Sequence, residues 1–365
     1  MTTLEKMIGH INSEALDVEH SRRRILLGLT ALLTLPSIAR GQGVNSAEGI
    51  GSTQAKTPAL AVDPASYRTY DKDWQDESRK RAVPVRIYLP AASLTPLEGR
   101  PLVIFSHGIG GSRNGYSYLG TYLASQGTVS LHVQHVGSDR NLWFGNPFSL
   151  VDRLQGAAQD NEAVQRVRDV RFALDQFLSE DVSQMVDKQR IVAAGHSYGA
   201  NTTMLLAGAR VARDGAVLNL RDARVRAAVI ISAPPFYGEL DPGNILGDVT
   251  VPSLHITATE DVISIPGYVS PAIDRIKVFD AMGGPSKALA VFSGGSHSVF
   301  TDRAGTGGPA LNPKIKQATR ELMVDFITKV FEGDASGFEA WPLRYRNLLA
   351  RWSLTTGHAV GRHQM

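Results

Sequence analysis

From Val83 onward, short apolar runs alternate with longer stretches of helical period. This alternation limits the chain more than any single residue, because parallel strands need crossover connections and a helix is the usual crossover. Strands are expected at 85–89, 102–105, 129–133, 191–194, 227–231, 254–258 and 289–292. The first of them alternates in polarity, whereas Leu102-Val103-Ile104-Phe105 is apolar throughout, as a strand buried on both faces must be. Helices are expected at 116–125, 161–178, 199–211 and, last, 316–331. Val164, Val167, Val170, Ala173, Leu174 and Phe177 make one stripe, and Ile315, Ala318, Leu322, Phe326 and Val330 make another. No repeat and no second strand-helix series is present, so the expectation is one α/β domain over 80–335 with a mostly parallel, doubly wound sheet flanked by helices.

A chain of 365 residues with 43% hydrophobic and 20% charged residues can bury a large core. Its net charge of +3 is close to balanced, and no Lys/Arg run outside the N-terminus offers a nucleic-acid surface. Cysteine is absent, which removes disulfides, thiolate metal ligands and a thiol nucleophile together. Near the start, Arg22-Arg23-Arg24 precedes an apolar run at 25–39 that ends in Ser37-Ile38-Ala39. This resembles a twin-arginine export signal over 1–41, which implies the export machinery as a transient partner, a periplasmic or secreted destination and no stable membrane span after processing. An uncleaved anchor or an amphipathic surface helix is the competing interpretation. Residues 42–79 read as a flexible leader into the mature chain, 140–159 as an ordered excursion that fits no strand, and 336–365 as a C-terminal extension without an assigned role.

Between the expected strand at 191–194 and the helix after it stands Gly195-His196-Ser197-Tyr198-Gly199. A G-x-S-x-G pattern alone is weak, but at a strand-to-helix turn it lifts a serine hydroxyl above the sheet at a helix N-terminus, with glycines giving clearance on both sides. A serine needs a base to take its proton and a third group to orient that base. Four histidines follow Ser197, and His255 falls inside a strand while His358 and His363 belong to a polar tail. His297 follows a strand in Ser293-Gly294-Gly295-Ser296-His297, a Gly-rich loop able to reach back over the sheet. The acid is expected after the preceding strand, at Asp261, with Glu260 as the alternative. Two N–H donors must receive the oxyanion. Tyr198 supplies one, and Ile109, in Ser106-His107-Gly108-Ile109-Gly110-Gly111, supplies the other. His107 is expected to brace that loop and not to act as the base.

With these residues assembled, the chain resembles α/β-hydrolase esterases. The branch is the one that groups dienelactone-hydrolase-like proteins, platelet-activating-factor acetylhydrolases and cutinase-like polyester hydrolases. The resemblance covers roughly residues 80–335 and runs through Val85-Arg86-Ile87-Tyr88-Leu89-Pro90, Ser106-His107-Gly108, His135-Val136-Gly137-Ser138-Asp139, the serine motif, Asp261 and His297. It implies the α/β-hydrolase fold, with Ser197 as nucleophile, His297 as base, Asp261 as its orienting acid and Ile109 and Tyr198 as donors. Two departures matter. Dienelactone hydrolases use a cysteine nucleophile, and the acetylhydrolases place their acid after the strand that follows the nucleophile helix, where this chain has Ile231-Ser232-Ala233-Pro234. The role therefore moves to the later Asp261, as in cutinase-like enzymes.

The function expected is cleavage of a small or polymeric carboxylic ester through an acyl-enzyme, with no metal and no organic cofactor. Tyr116, Trp143, Phe144, Phe236, Tyr237, Ile263, Ile265 and Phe300 are expected at the C-terminal edge of the sheet as walls of an apolar pocket. A catalytically silent binding protein of the same fold is the alternative from another class, and amide or thioester cleavage would use the same groups.

Overall fold

A computed structural model of the chain describes residues 60–94, 98–213, 216–236, 241–265, 268–303 and 308–356. The export-signal segment, residues 42–59 of the leader, Tyr237, His358 and His363 lie outside the described residues. Among the described residues no helix is long and apolar enough to cross a membrane.

Nine strands form the main sheet: β1 (Tyr67–Asp76), β2 (Arg81–Pro90), β3 (Arg100–Ser106), β4 (Val129–Val133), β5 (Val186–His196), β6 (Val225–Ile231), β7 (Ser253–Glu260), β8 (Ser286–Ser296) and β9 (Leu349–Thr356). Their spatial order is β1-β2-β4-β3-β5-β6-β7-β8-β9. The run from β4 to β8 is parallel throughout, and antiparallel pairs close both edges. The helices are α1 (Ser117–Ser125), α2 (Leu150–Ala157), α3 (Asp160–Ser179), α4 (Tyr198–Ala207), α5 (Pro242–Leu246), α6 (Ile273–Ala281), α7 (Gly308–Glu332) and α8 (Ser336–Arg344).

Strand alternation divides the apolar residues between two cores. Leu102 and Ile104 join Val167, Val170, Ala200 and Met204 from α3 and α4 on one face. Val103 and Phe105 join Leu119, Leu123, Ile315 and Leu322 from α1 and α7 on the other. This is the doubly wound α/β-hydrolase architecture expected from the sequence.

The sheet nevertheless extends past both ends of the 80–335 interval. β1 lies within the stretch assigned to a leader, and its burial pattern shows why it was missed: only Asp76 at its end is buried. Tyr70 and Trp74 pack inward, while Asp71 sits opposite Arg86 of β2 and accepts from its Nε at 2.7 Å. The C-terminal extension acquires a role too. Trp341 of α8 is fully buried and donates its indole N–H to the Ala318 carbonyl of α7 at 3.0 Å, with the rings of Tyr345 and Trp352 packed against it at a tilt. β9 then covers the open edge of β8. The helix after Ser197 is shorter than expected, ending at Ala207 because Gly208 takes a φ of 120° and turns the chain into a hairpin of Arg210–Arg213 and Ala216–Asn219.

Candidate active site

Ser197 sits between the last residue of β5 and the first of α4, with φ 55° and ψ −123°. A side chain at this backbone position is strained, and the strain is held by its neighbours. A Cβ on Gly195 would lie 2.2 Å from the Gly199 carbonyl oxygen, and one on Gly199 would lie 1.9 Å from the Ser106 carbonyl oxygen. Both positions therefore require glycine. The Ser197 N–H donates to Ile231 of β6 at 2.9 Å, which pins the turn to the sheet.

His297 stands on a short 3-10 turn directly after β8. Gly294 and Gly295, with φ of 69° and 86°, bend the strand end toward Ser197. His297 Nε2 is 2.8 Å from Ser197 Oγ, and its Nδ1 is 2.7 Å from Asp261 Oδ1. Of the two acids weighed, Glu260 is exposed and Asp261 is fully buried against His297. Burial alone would push the Asp261 carboxyl up. The hydrogen bond and charge of His297, the Arg275 guanidinium and the Ser232 hydroxyl outweigh it and hold the group well below the usual carboxylate range. Asp261 Oδ2 accepts from Ser232 Oγ and Thr257 Oγ1, each at 2.6 Å, and Arg275 Nε lies 3.7 Å from Oδ1. Asp261 is thus an ionised acceptor with both oxygens occupied. Because its Oδ1 must receive a proton-bearing Nδ1, the His297 Nε2 is left as the acceptor for the serine O–H.

The loop after β3 passes directly over the serine: a Cβ on Gly108 would lie 3.2 Å from Ser197 Cβ. The flanking amides are used, Gly110 N–H by the Ser138 carbonyl at 2.8 Å and Gly111 N–H by the Gly108 carbonyl at 3.0 Å. The Ile109 and Tyr198 N–H groups have no partner among the described residues. His107 is a brace: its Nε2 accepts from His135 N–H at 3.1 Å, so Nδ1 carries the proton toward the Gly108 carbonyl 2.7 Å away. Burial, with Arg166 and His135 nearby, pushes its pKa well down, so it stays neutral.

Sequence reasoning missed Arg166, which sits on the buried face of α3 with Glu162, Val167, Asp169 and Val170. It is fully buried and donates to Thr202 Oγ1 of α4 at 3.0 Å, to Ser138 Oγ at 2.7 Å and to the His107 carbonyl. Around it, Asp169 accepts from Arg79 and Arg81, and Glu162 accepts from Arg81 and Ser138. An arginine at a core-facing helical position was the available signal, since such a group is buried only when paired.

The expected pocket walls divide sharply. Phe300 is fully buried and packs on His196 and Phe292. Ile263, 7% exposed, is also enclosed, and Tyr116, 4% exposed, spends its hydroxyl inside the protein. Tyr116 and Phe300 complete the packing under the site and do not wall a pocket. Phe236 is half-buried against the α3 and α4 core. Trp143 differs: it is 43% exposed and donates its indole N–H to the Gly110 carbonyl at 2.9 Å. It belongs to the excursion at 140–159, which forms two 3-10 turns and α2 and leaves Phe144 68% exposed.

Residues 80–141 match the family described as platelet-activating factor acetylhydrolase, isoform II. The platelet-activating factor acetylhydrolase of Canis lupus familiaris is 27% identical over 151 residues, covering 32% of this chain and 34% of that protein. The chain thus spans about a third of the length of this relative. Among solved structures, a ferulic acid esterase from Streptomyces cinnamoneus superposes with a TM-score of 0.54 at 20% identity, over 77% of this chain and 94% of that one. The order of the parallel strands and the strained serine at the turn from β5 to α4 agree with the α/β-hydrolase fold. The chain has the α/β-hydrolase fold, and it is similar over part of its length to a platelet-activating factor acetylhydrolase and in fold to a ferulic acid esterase.

Proposed function

We propose that the protein is a serine hydrolase that cleaves carboxylic esters through an acyl-enzyme on Ser197. The observation that carries this reading is the unbroken line Ser197 Oγ, His297 Nε2, His297 Nδ1, Asp261 Oδ1, with contacts of 2.8 and 2.7 Å. In the first half-reaction Ser197 Oγ bonds to the ester carbonyl carbon while its proton passes to His297 Nε2. The carbonyl oxygen becomes an oxyanion that the N–H groups of Ile109 and Tyr198 receive. Collapse breaks the bond to the alkoxy oxygen, which leaves as the alcohol with the proton from His297. Water then repeats the sequence, releasing the acid and restoring the serine. Asp261 stays ionised and stabilises the imidazolium formed in each half. The likeness to an acetylhydrolase and an esterase supports the ester as substrate, and the exposed Trp143 at the Gly110 carbonyl supports an apolar acyl or alcohol group.

A p-nitrophenyl ester series from acetyl to octanoyl tests the reading. Wild type should turn over at least one member, and Ser197→Ala should reduce turnover to background on all of them. Equal rates for the two proteins across the series would end the proposal.

We propose further that the protein is exported by the twin-arginine route, on the pattern at 22–39. Replacing Arg22 and Arg23 by lysine should leave the precursor in the cytoplasm, and undiminished export would refute this.

A further inference from the structure

The loop bearing Ile109, the strand end before Ser197 and the turn bearing His297 come from three distant parts of the chain. A short line of hydrogen bonds joins them behind the serine. Gly108 N–H donates to Tyr116 Oη at 3.3 Å, Tyr116 Oη lies 2.8 Å from His196 Nδ1, and His196 Nε2 lies 3.0 Å from the His297 carbonyl oxygen. Only one direction satisfies every group. A carbonyl oxygen can only accept, so His196 Nε2 carries the ring proton and Nδ1 is the acceptor. Tyr116 must therefore donate to His196, which leaves its oxygen lone pairs for the Gly108 N–H. Burial, with His297 beside it, pushes the His196 pKa down to about 3, so the ring remains the neutral tautomer that this direction requires.

The backbone at Tyr116 points the same way. Tyr116 adopts φ 59° and ψ 32°, a left-handed position that costs a non-glycine residue on the order of 1 kcal/mol and persists where the surroundings impose it. The kink sends the next amide, Ser117 N–H, to Asp302 Oδ2 at 2.8 Å. Asp302 closes the segment that His297 opens. The pair Tyr116-Ser117 thus fastens that segment at both ends, once through His196 and once directly. The rings are packed in series, with centroids 5.5 Å apart for Tyr116 and His196 and 4.7 Å apart for His196 and His297.

We infer that Tyr116 and His196 are positioning residues, which hold the oxyanion loop and the base in register with Ser197 through this single directed chain. The inference rests on the proposed roles of Ser197 and His297. Neither residue touches substrate; Tyr116 acts through the backbone of Gly108, next to Ile109, and His196 through the backbone of His297. A displacement of the base or the donor loop by a fraction of an ångström weakens the transition state without closing the substrate site, so the effect belongs in kcat and not in KM.

The test is a cycle of wild type, Tyr116→Phe, His196→Gln and the double variant, assayed for kcat and KM on p-nitrophenyl acetate and for thermal midpoint. Tyr116→Phe keeps the ring and removes one oxygen. It should lower kcat about tenfold to a hundredfold with KM within about twofold. In the His196→Gln background the same change should cost less than about threefold, because the chain is already broken. Retention of kcat within twofold in Tyr116→Phe, or multiplicative losses in the double variant, would overturn the inference. If the His196 variant does not fold, Tyr116→Phe decides alone: kcat lost with an unchanged midpoint supports positioning, and kcat lost only in step with a lowered midpoint refutes it. Failure of the underlying reading looks different, since wild type itself would then be no faster than Ser197→Ala.

Discussion

The guanidinium of Arg166 lies over the ring of Tyr198, 4.5 Å from its centroid, while its nitrogens bond Thr202, Ser138 and the His107 carbonyl. One side chain of α3 thereby grips the helix that begins at the serine and the loop that crosses above it. Complete burial pulls its pKa down to about 10, so it still carries charge at neutral pH. The nearby carboxylates of Glu162 and Asp169 offset that burial.

Arg166→Lys should therefore impair both stability and rate. Lysine keeps the charge but has neither the planar fork nor the stacking face. Breaking a buried, paired network costs about 3 kcal/mol, roughly 5–10 °C in thermal midpoint, and kcat should fall at least about tenfold as the His107 carbonyl loses its anchor. A variant with the wild-type midpoint and kcat would show that Arg166 holds nothing the site needs.

Asp261→Asn should leave the protein folded and nearly inactive. The Ser232 and Thr257 hydroxyls would face an amide in place of a carboxylate, and nothing would stabilise the imidazolium of His297. A loss on the order of 10³–10⁴-fold in kcat is expected, with KM little changed. Glu260→Gln, at an exposed position, should stay within about twofold of wild type. Steady-state kinetics on one p-nitrophenyl ester separate the two, and equal losses would return the acid's role to open choice.

Gly199→Ala places a methyl 1.9 Å from the Ser106 carbonyl oxygen, where backbone faces backbone and neither side yields. Loss of activity and a lower thermal midpoint should come together. Gly156→Ala is the control, because its Cβ would meet nothing within 4 Å. Inside α2 it should stabilise by about 0.5–1 kcal/mol through helix propensity. Equal melting of the Gly199 variant and wild type would remove the steric account of the turn.

The parts that sequence resolved are those where one period or one spacing admits one answer. The run at 102–105 reads as a strand because every position is apolar, and the run at 129–133 because Val129, Leu131 and Val133 recur at every second position; both pack in the parallel part of the sheet. Ser197, His297 and Asp261 come together because each follows a strand of one parallel sheet, so chain order translates into a shared edge. The edge strands β1 and β9 escaped for the opposite reason: half of each faces water, and their polar residues mask the alternation. Tyr116 and Phe300 were assigned to pocket walls because an aromatic on a loop gives no sign of whether it faces out or under. Ser232 was passed over as a position without an acid, yet its hydroxyl reaches Asp261 from the adjacent strand end.

Five histidines, His107, His132, His135, His196 and His255, are buried, each at most 3% exposed. Burial pushes the pKa of His132, His196 and His255 down to about 3, and burial together with Arg166 pushes those of His107 and His135 well below the ordinary value. On unfolding each returns to about 6.5 and binds a proton in mild acid. The unfolded state then holds more protons than the folded one, so stability rises with pH in this window and is lost as pH falls below about 6.5. Each group contributes up to about 1.4 kcal/mol per pH unit, and the five together up to about 7. Asp261 adds a loss of the same sign, but only nearer pH 4, because its depressed carboxyl matters below the ordinary carboxylate value. The thermal midpoint should therefore be nearly flat from pH 8 to 7 and fall steeply from 6.5 to 5. His255→Leu isolates one contribution: its ring sits between β7 and Phe279, with Nε2 unpartnered among the described residues. That variant should lose about a fifth of the acid slope while keeping its turnover at pH 8. A midpoint that stays level down to pH 5 would mean that these rings do not remain neutral in the fold.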